Sequence, residues 1–121
     1  MAGTVTVSEE TFGSVKKIQW DWLSDASGDA NKATTNPYEG EILFAVFEPD
    51  SGGTQPTDQY DVVINDPDGY DVLVGVGADL SNAANVYKLK AAMGAVKADV
   101  LNLVVSNGGN AKGGLVTLFI R

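Results

Sequence analysis

At 121 residues, with 44% of them hydrophobic, the chain has the length of one domain and enough apolar material for one core, which excludes a disordered chain. It has no cysteine and no histidine, which removes disulfides, thiolate metal sites, a cysteine nucleophile and the commonest general base. A formal net charge of −8 disfavours nucleic acid and anionic membrane as partners and suits a basic protein surface.

Residues Met1–Val7 carry neither a basic stretch nor an apolar stretch of signal-peptide type, so the expectation is a protein made and used without export. Thr4-Val5-Thr6-Val7-Ser8 alternates small polar and β-branched residues. That reads as a short first strand or, taking residues 1–14 together, as an extended N-terminal arm. Phe12 follows as a local anchor. In Val15–Leu23 the residues Ile18, Trp20 and Trp22 lie two apart and share one face of a strand, opposite Lys17, Gln19 and Asp21. Two tryptophans in line suit sugar stacking, but regular alternation is the pattern of a core face.

Ser24–Pro37 is polar and aperiodic and reads as a long loop or a mobile hairpin tip. Its Asp25, Asp29 and Asn31 are oxygen donors whose spacing does not match a calcium loop. Gly40–Pro49 is apolar on both faces, with Ile42, Phe44 and Val46 on one side and Leu43, Ala45 and Phe47 on the other. It therefore reads as a central strand covered on both sides, one of them by another subunit. Asp50–Asp58 is a turn-rich loop, without the Gly-Lys-Ser/Thr that a phosphate cradle requires.

Tyr60–Asn65 is the next strand. Asp66-Pro67-Asp68-Gly69 then has the residues of a type I turn. Asp66, Asp68 and Asp71 present three carboxylates, and turn chemistry accounts for them without a metal. Asp71–Gly77 reads equally as a short strand or as a helical turn over the sheet. Leu80 is a core plug within the loop Ala78–Val86. Tyr87–Lys97 starts extended and passes into Ala91-Ala92-Met93, which has helix propensity. Lys88, Lys90, Lys97 and Lys112 make up half of the basic residues and suggest either a basic docking edge or edge-strand lysines that block aggregation. Val100–Val105 and Leu115–Arg121 are strands, and the glycine-rich Ser106–Gly114 reads as a hairpin connection between them.

Five or more strands without a sustained helical period predict an all-β domain over residues 1–121. Its form is a compact antiparallel β-sandwich or barrel, Greek-key or jelly-roll-like, with long Gly-rich loops and little helix. Carboxylate chemistry such as glycoside hydrolysis is the only easily reached catalysis, and the acids are scattered over turns. The expectation is a protein that is not an enzyme, with no cofactor, no metal site and no catalytic residues.

Several segments together are similar to a known group. They are Trp20-Asp21-Trp22 with Ser24–Gly28, Tyr38–Ile42, Phe47–Gly53, Asp66–Leu73 with Gly75–Leu80, Val105–Asn107 and Gly113–Arg121. The chain resembles small head-associated structural proteins of tailed bacteriophages, and these segments span most of it. The resemblance implies a decoration or cement protein in the virion, on the capsid exterior, made in the cytoplasm of a bacterial host. It implies the major capsid protein as partner and a homo-oligomer at symmetry-related sites, a trimer being favoured, with no nucleic acid and no membrane. Phe12, Tyr38, Phe44 and Phe47 are the candidate partner contacts. A tail-associated structural protein and a carbohydrate-binding module using Trp20 or Trp22 are the alternatives.

Overall fold

The computed structural model describes residues 3–89 and 93–121, apart from the side chain of Ala98. Nine strands are found among them: β1 (Thr4–Phe12), β2 (Val15–Leu23), β3 (Ala30–Ala33), β4 (Tyr38–Pro49), β5 (Asp61–Asn65), β6 (Val86–Leu89), β7 (Ala95–Asp99), β8 (Asn102–Ser106) and β9 (Gly113–Ile120). A single 3₁₀ turn at Gly52–Thr54 is the helical content of the described residues. Every strand pairing is antiparallel.

The larger sheet runs β1-β2-β9-β4 and ends in a lane shared by β6 and β7. β6 pairs with Phe44–Phe47 and β7 with Tyr38–Glu41, so the two lie end to end along β4. The smaller sheet runs β3-β8-β5. Between the sheets lies one core. The larger sheet contributes Ile18, Trp20, Trp22, Ile42, Ala45, Phe47, Val116, Leu118 and Ile120; the smaller contributes Ala30, Val62, Ile64, Leu103 and Val105. Strict alternation in β2, β5, β8 and β9 places these side chains inward, because successive residues of a strand point to opposite faces. The all-β antiparallel sandwich expected from the sequence is the fold observed.

Four local expectations change. Residues 4–12 are not a free arm but a full strand, paired along its length with β2 through a two-residue turn at Gly13-Ser14. Gly13 takes a φ of 61°, which suits the first position of a type II′ hairpin turn. The long loop Ser24–Pro37 contains β3, whose Ala-Asn-Lys-Ala buries only Ala30. Such a strand carries no apolar signal and is held by backbone pairing to β8. Ser106–Gly114 is not a hairpin, since β8 and β9 belong to different sheets and the segment crosses between them.

Asp71–Gly77 is a run of turns. Val74, Val76 and Ala78 each donate to the carbonyl three residues back. The Asp71 carboxylate accepts from the amides of Ile64, Leu73 and Gly75, which stops the segment from extending as a strand. The helix propensity noted at Ala91 and Ala92 falls outside the described residues.

The fourth change matters most for function. A β-bulge lies between Ile42 and Phe44, where the register against β9 shifts. One extra residue in a strand sends everything beyond it to the opposite face. Ile42, Ala45 and Phe47 therefore share the inner face, while Phe44 and Val46 point outward. The grouping of Ile42 with Phe44 read from simple alternation is thus corrected.

Candidate docking surface

The outer face of the larger sheet can be built row by row from the strand register. One row runs Glu10, Lys17, Phe119, Phe44, Leu89 across β1, β2, β9, β4 and β6. The next runs Ser8, Gln19, Thr117, Val46, Tyr87. A third runs Thr6, Asp21, Leu115, Glu48. In these rows the β1–β2 positions are polar, whereas the β9, β4 and β6 positions are apolar except for Thr117 and the bordering Glu48.

Phe44 and Phe119 stack with ring centroids 4.4 Å apart and planes 18° from parallel. Cross-strand aromatic pairs of this kind contribute about 0.5–1.5 kcal/mol beyond their burial. Beside them Tyr87 and Leu89 are 62% and 71% exposed. Thr117 sits beneath this cover, buried, and accepts a hydrogen bond from Gln19 Nε2 at 3.2 Å. Lys17, Asp21 and Glu48 border the patch, and no charge lies within it. Phe12, 57% exposed, occupies the same outer face at the β1–β2 turn, three strands from Phe44.

Two of the four expected contacts are elsewhere. Phe47 is fully buried in the core, because the bulge turns it inward. Tyr38 is buried too, and its hydroxyl donates to Glu9 Oε1 at 2.6 Å. Glu9 also accepts from the backbone amides of Thr35 and Asn36 and from Asn36 Nδ2, so it clasps the β3–β4 connection to β1. Burial raises the Glu9 pKa, and these hydrogen bonds more than reverse that, holding it below 4.5. Burial, then the bond to Glu9, pushes the Tyr38 hydroxyl up to about 12.

Neither tryptophan forms a stacking platform, since Trp20 and Trp22 are 0% and 1% exposed. Trp20 Nε1 donates to the Lys32 carbonyl, whereas Trp22 Nε1 is buried without an acceptor and its ring tilts against Tyr60 at 5.5 Å.

The turn carboxylates serve their own backbones. Asp25 accepts from Ser27 and Asp29, and Asp66 from Asp68 and Tyr70. Among the described residues no three His, Cys, Asp or Glu side chains are grouped to hold a metal ion. The lysines do not gather in one patch. Lys97 pairs with Asp68 and Asp99, Lys112 reaches the Gly53 carbonyl, and Lys88 lies on β6. Lys90 is outside the described residues.

No family model matches this chain, and no curated protein matches it. Among solved structures it is similar to a low-affinity xylan-binding module, CBM86, from the gut symbiont Roseburia intestinalis. Identity is 12% and the TM-score 0.43, over 98% of this chain and 85% of that one. A second similar structure comes from work on carbohydrate-binding modules of the β-sandwich superfamily. It shows 12% identity and a TM-score of 0.41, and this chain spans 55% of its length. At this level of overlap neither neighbour says what the present chain binds.

Sequence reasoning missed Tyr87, Leu89 and Phe119 as surface residues. Tyr87 and Leu89 alternate with Lys88, a usable strand signal. Which side of that alternation meets solvent follows only from pairing with the bulged β4.

Proposed function

We propose that this chain is a non-enzymatic structural protein of a phage particle, lying on the capsid exterior and bridging neighbouring major capsid subunits. The supporting observation is the uncharged apolar patch of Phe44, Phe119, Tyr87 and Leu89 on an open sheet face. Soluble chains seldom leave contiguous apolar area of this kind without a partner. An uncharged patch lets a chain of net charge −8 approach another protein without opposing charges at the contact. Repetition over symmetry-related sites turns weak single contacts into firm binding. The resemblance of the turn and strand segments to head-associated phage proteins supplies the partner.

The test is cosedimentation of the purified chain with empty shells of the corresponding phage, followed by cryo-electron microscopy. The wild type is expected on the outer surface. Phe44→Ser with Tyr87→Ser is expected to lose binding while remaining folded. Shells that bind neither protein, or both equally, would overturn the proposal.

A second reading is favoured by the exposed Tyr87 ring beside the Phe44–Phe119 pair, an arrangement on which a sugar ring can stack. Titration with xylan oligosaccharides, followed by Tyr and Phe ring signals in NMR, separates it from the first.

A further inference from the structure

A β-sandwich has strand edges whose unpaired amides and carbonyls invite other strands, and proteins usually guard them. Three of the four edges here are guarded. β3 is only four residues long. β5 is covered by residues 71–80: Val62 donates to the Gly77 carbonyl, Val72 donates to that of Ile64, and Leu80 donates to that of Tyr60. The β6–β7 lane is formed by strands of only four and five residues, which carry Lys88 and Lys97.

The edge of β1 differs. It is nine residues long, regular, and free of proline, lysine and bulges. Among the described residues β1 pairs with β2 alone, and none of its backbone groups bonds elsewhere.

The ladder shows which of its groups are free. Ser24 donates to the Lys112 carbonyl opposite it, extending the β2–β9 register. In an antiparallel ladder, bonding residues alternate. Even-numbered residues of β2 therefore bond β9, and odd-numbered ones bond β1. Their partners on β1 are Thr4, Thr6, Ser8, Glu10 and Phe12. That leaves the N–H and C=O groups of Val5, Val7, Glu9 and Thr11 directed outward.

We propose that a second copy of this chain pairs on this edge, β1 against β1 antiparallel about a two-fold axis at Val7, joining two larger sheets into one. An antiparallel edge is complementary to itself under two-fold symmetry. This register sets Val7 opposite Val7 and Val5 opposite Glu9, giving about six backbone hydrogen bonds. It also sets Glu10 opposite Thr4 and Thr6 opposite Ser8, so no acid faces an acid. Moving the axis to Glu9 would oppose two carboxylates, a destabilising pair. The interface is separate from the apolar outer face, and its test needs no capsid.

The experiment is sedimentation velocity of the full chain across a concentration series. The wild type is expected to form a dimer. Val7→Pro removes an outward N–H that β2 does not use, and should weaken the dimer by about tenfold or more. Circular dichroism should show that its fold is kept. Because Val7 also packs on the core, a second pair of variants supports the reading. T6K/S8K places lysine against lysine across the axis and should abolish the dimer, although it lowers the net negative charge. T6K/S8E places lysine against glutamate and should retain it. A chain that stays monomeric at its highest soluble concentration overturns the proposal. So does an oligomer that persists in T6K/S8K or that is lost only when Phe44 and Tyr87 are changed.

Discussion

The two faces of the larger sheet use the same residue types for different ends. Phe47 and Phe44 are three residues apart on β4. One is fully buried between the sheets, and the other, half-buried, stacks on Phe119 on the outer face. Glu9 and Glu10 are neighbours on β1. One is turned toward the β3–β4 connection and accepts four hydrogen bonds, and the other lies outside opposite Lys17. Residue type therefore says little about role in this sheet. Pairing register and the position of the bulge assign it.

The largest expected effect tests that contrast directly. Phe47→Ala should cost about 3–5 kcal/mol by urea denaturation, as for other fully buried phenylalanines. Phe44→Ala should cost about 1–2 kcal/mol, from the stacking and from the part of the ring that is buried. Equal losses would break the distinction between the faces.

Glu9 and Glu10 give the next effect. Glu9→Gln should cost about 1–2 kcal/mol at neutral pH, since it weakens hydrogen bonds to a charged, partly exposed group. The folded pKa of Glu9 lies below 4.5, so its contribution is present above that pH and is lost as pH falls through the lowered value. Stability curves of the wild type and Glu9→Gln should therefore converge in acid. Glu10→Gln, at an exposed position, should change stability at neutral pH by no more than about 0.5 kcal/mol.

The two tryptophans sharpen the picture of the inner face. Trp20→Phe abandons the hydrogen bond to the Lys32 carbonyl, whereas Trp22→Phe removes a donor that had no acceptor. The first should be about 1 kcal/mol more damaging than the second. The reverse order in thermal melts would mean that Trp22 Nε1 meets an acceptor in solution.

The smallest effect belongs to the outer face. Tyr87→Ser should shift stability by no more than about 0.5 kcal/mol, as exposed positions do. A larger loss would mean that this ring belongs to the fold rather than to a docking surface.

Much of this was legible from the residues. The two-residue spacing of Ile18, Trp20 and Trp22 identified a core face, as did that of Val116, Leu118 and Ile120. Asp66-Pro67-Asp68-Gly69 identified a turn, and the Gly69 amide donates to the Asp66 carbonyl as such a turn requires. Leu80 plugs the core, as its place as an apolar residue in a polar loop implies. These features are local, set by alternation and by residues that favour a bend. The composition and the spacing of turns were enough for the all-β sandwich.

What the tertiary structure decided is non-local. β3 exists because β8 lies beside it, and its own four residues prefer nothing. Tyr38 turns inward because Glu9, 29 positions earlier, accepts its hydroxyl proton in a hydrogen bond. Phe47 is buried in the core and Phe44 lies half-buried on the outer face because one extra residue opposite β9 reverses the alternation. The open edge of β1 emerges only when the other three edges are seen to be short or covered. A sequence sets each strand's two faces. Only the partner strands decide which face meets the core and which meets another molecule.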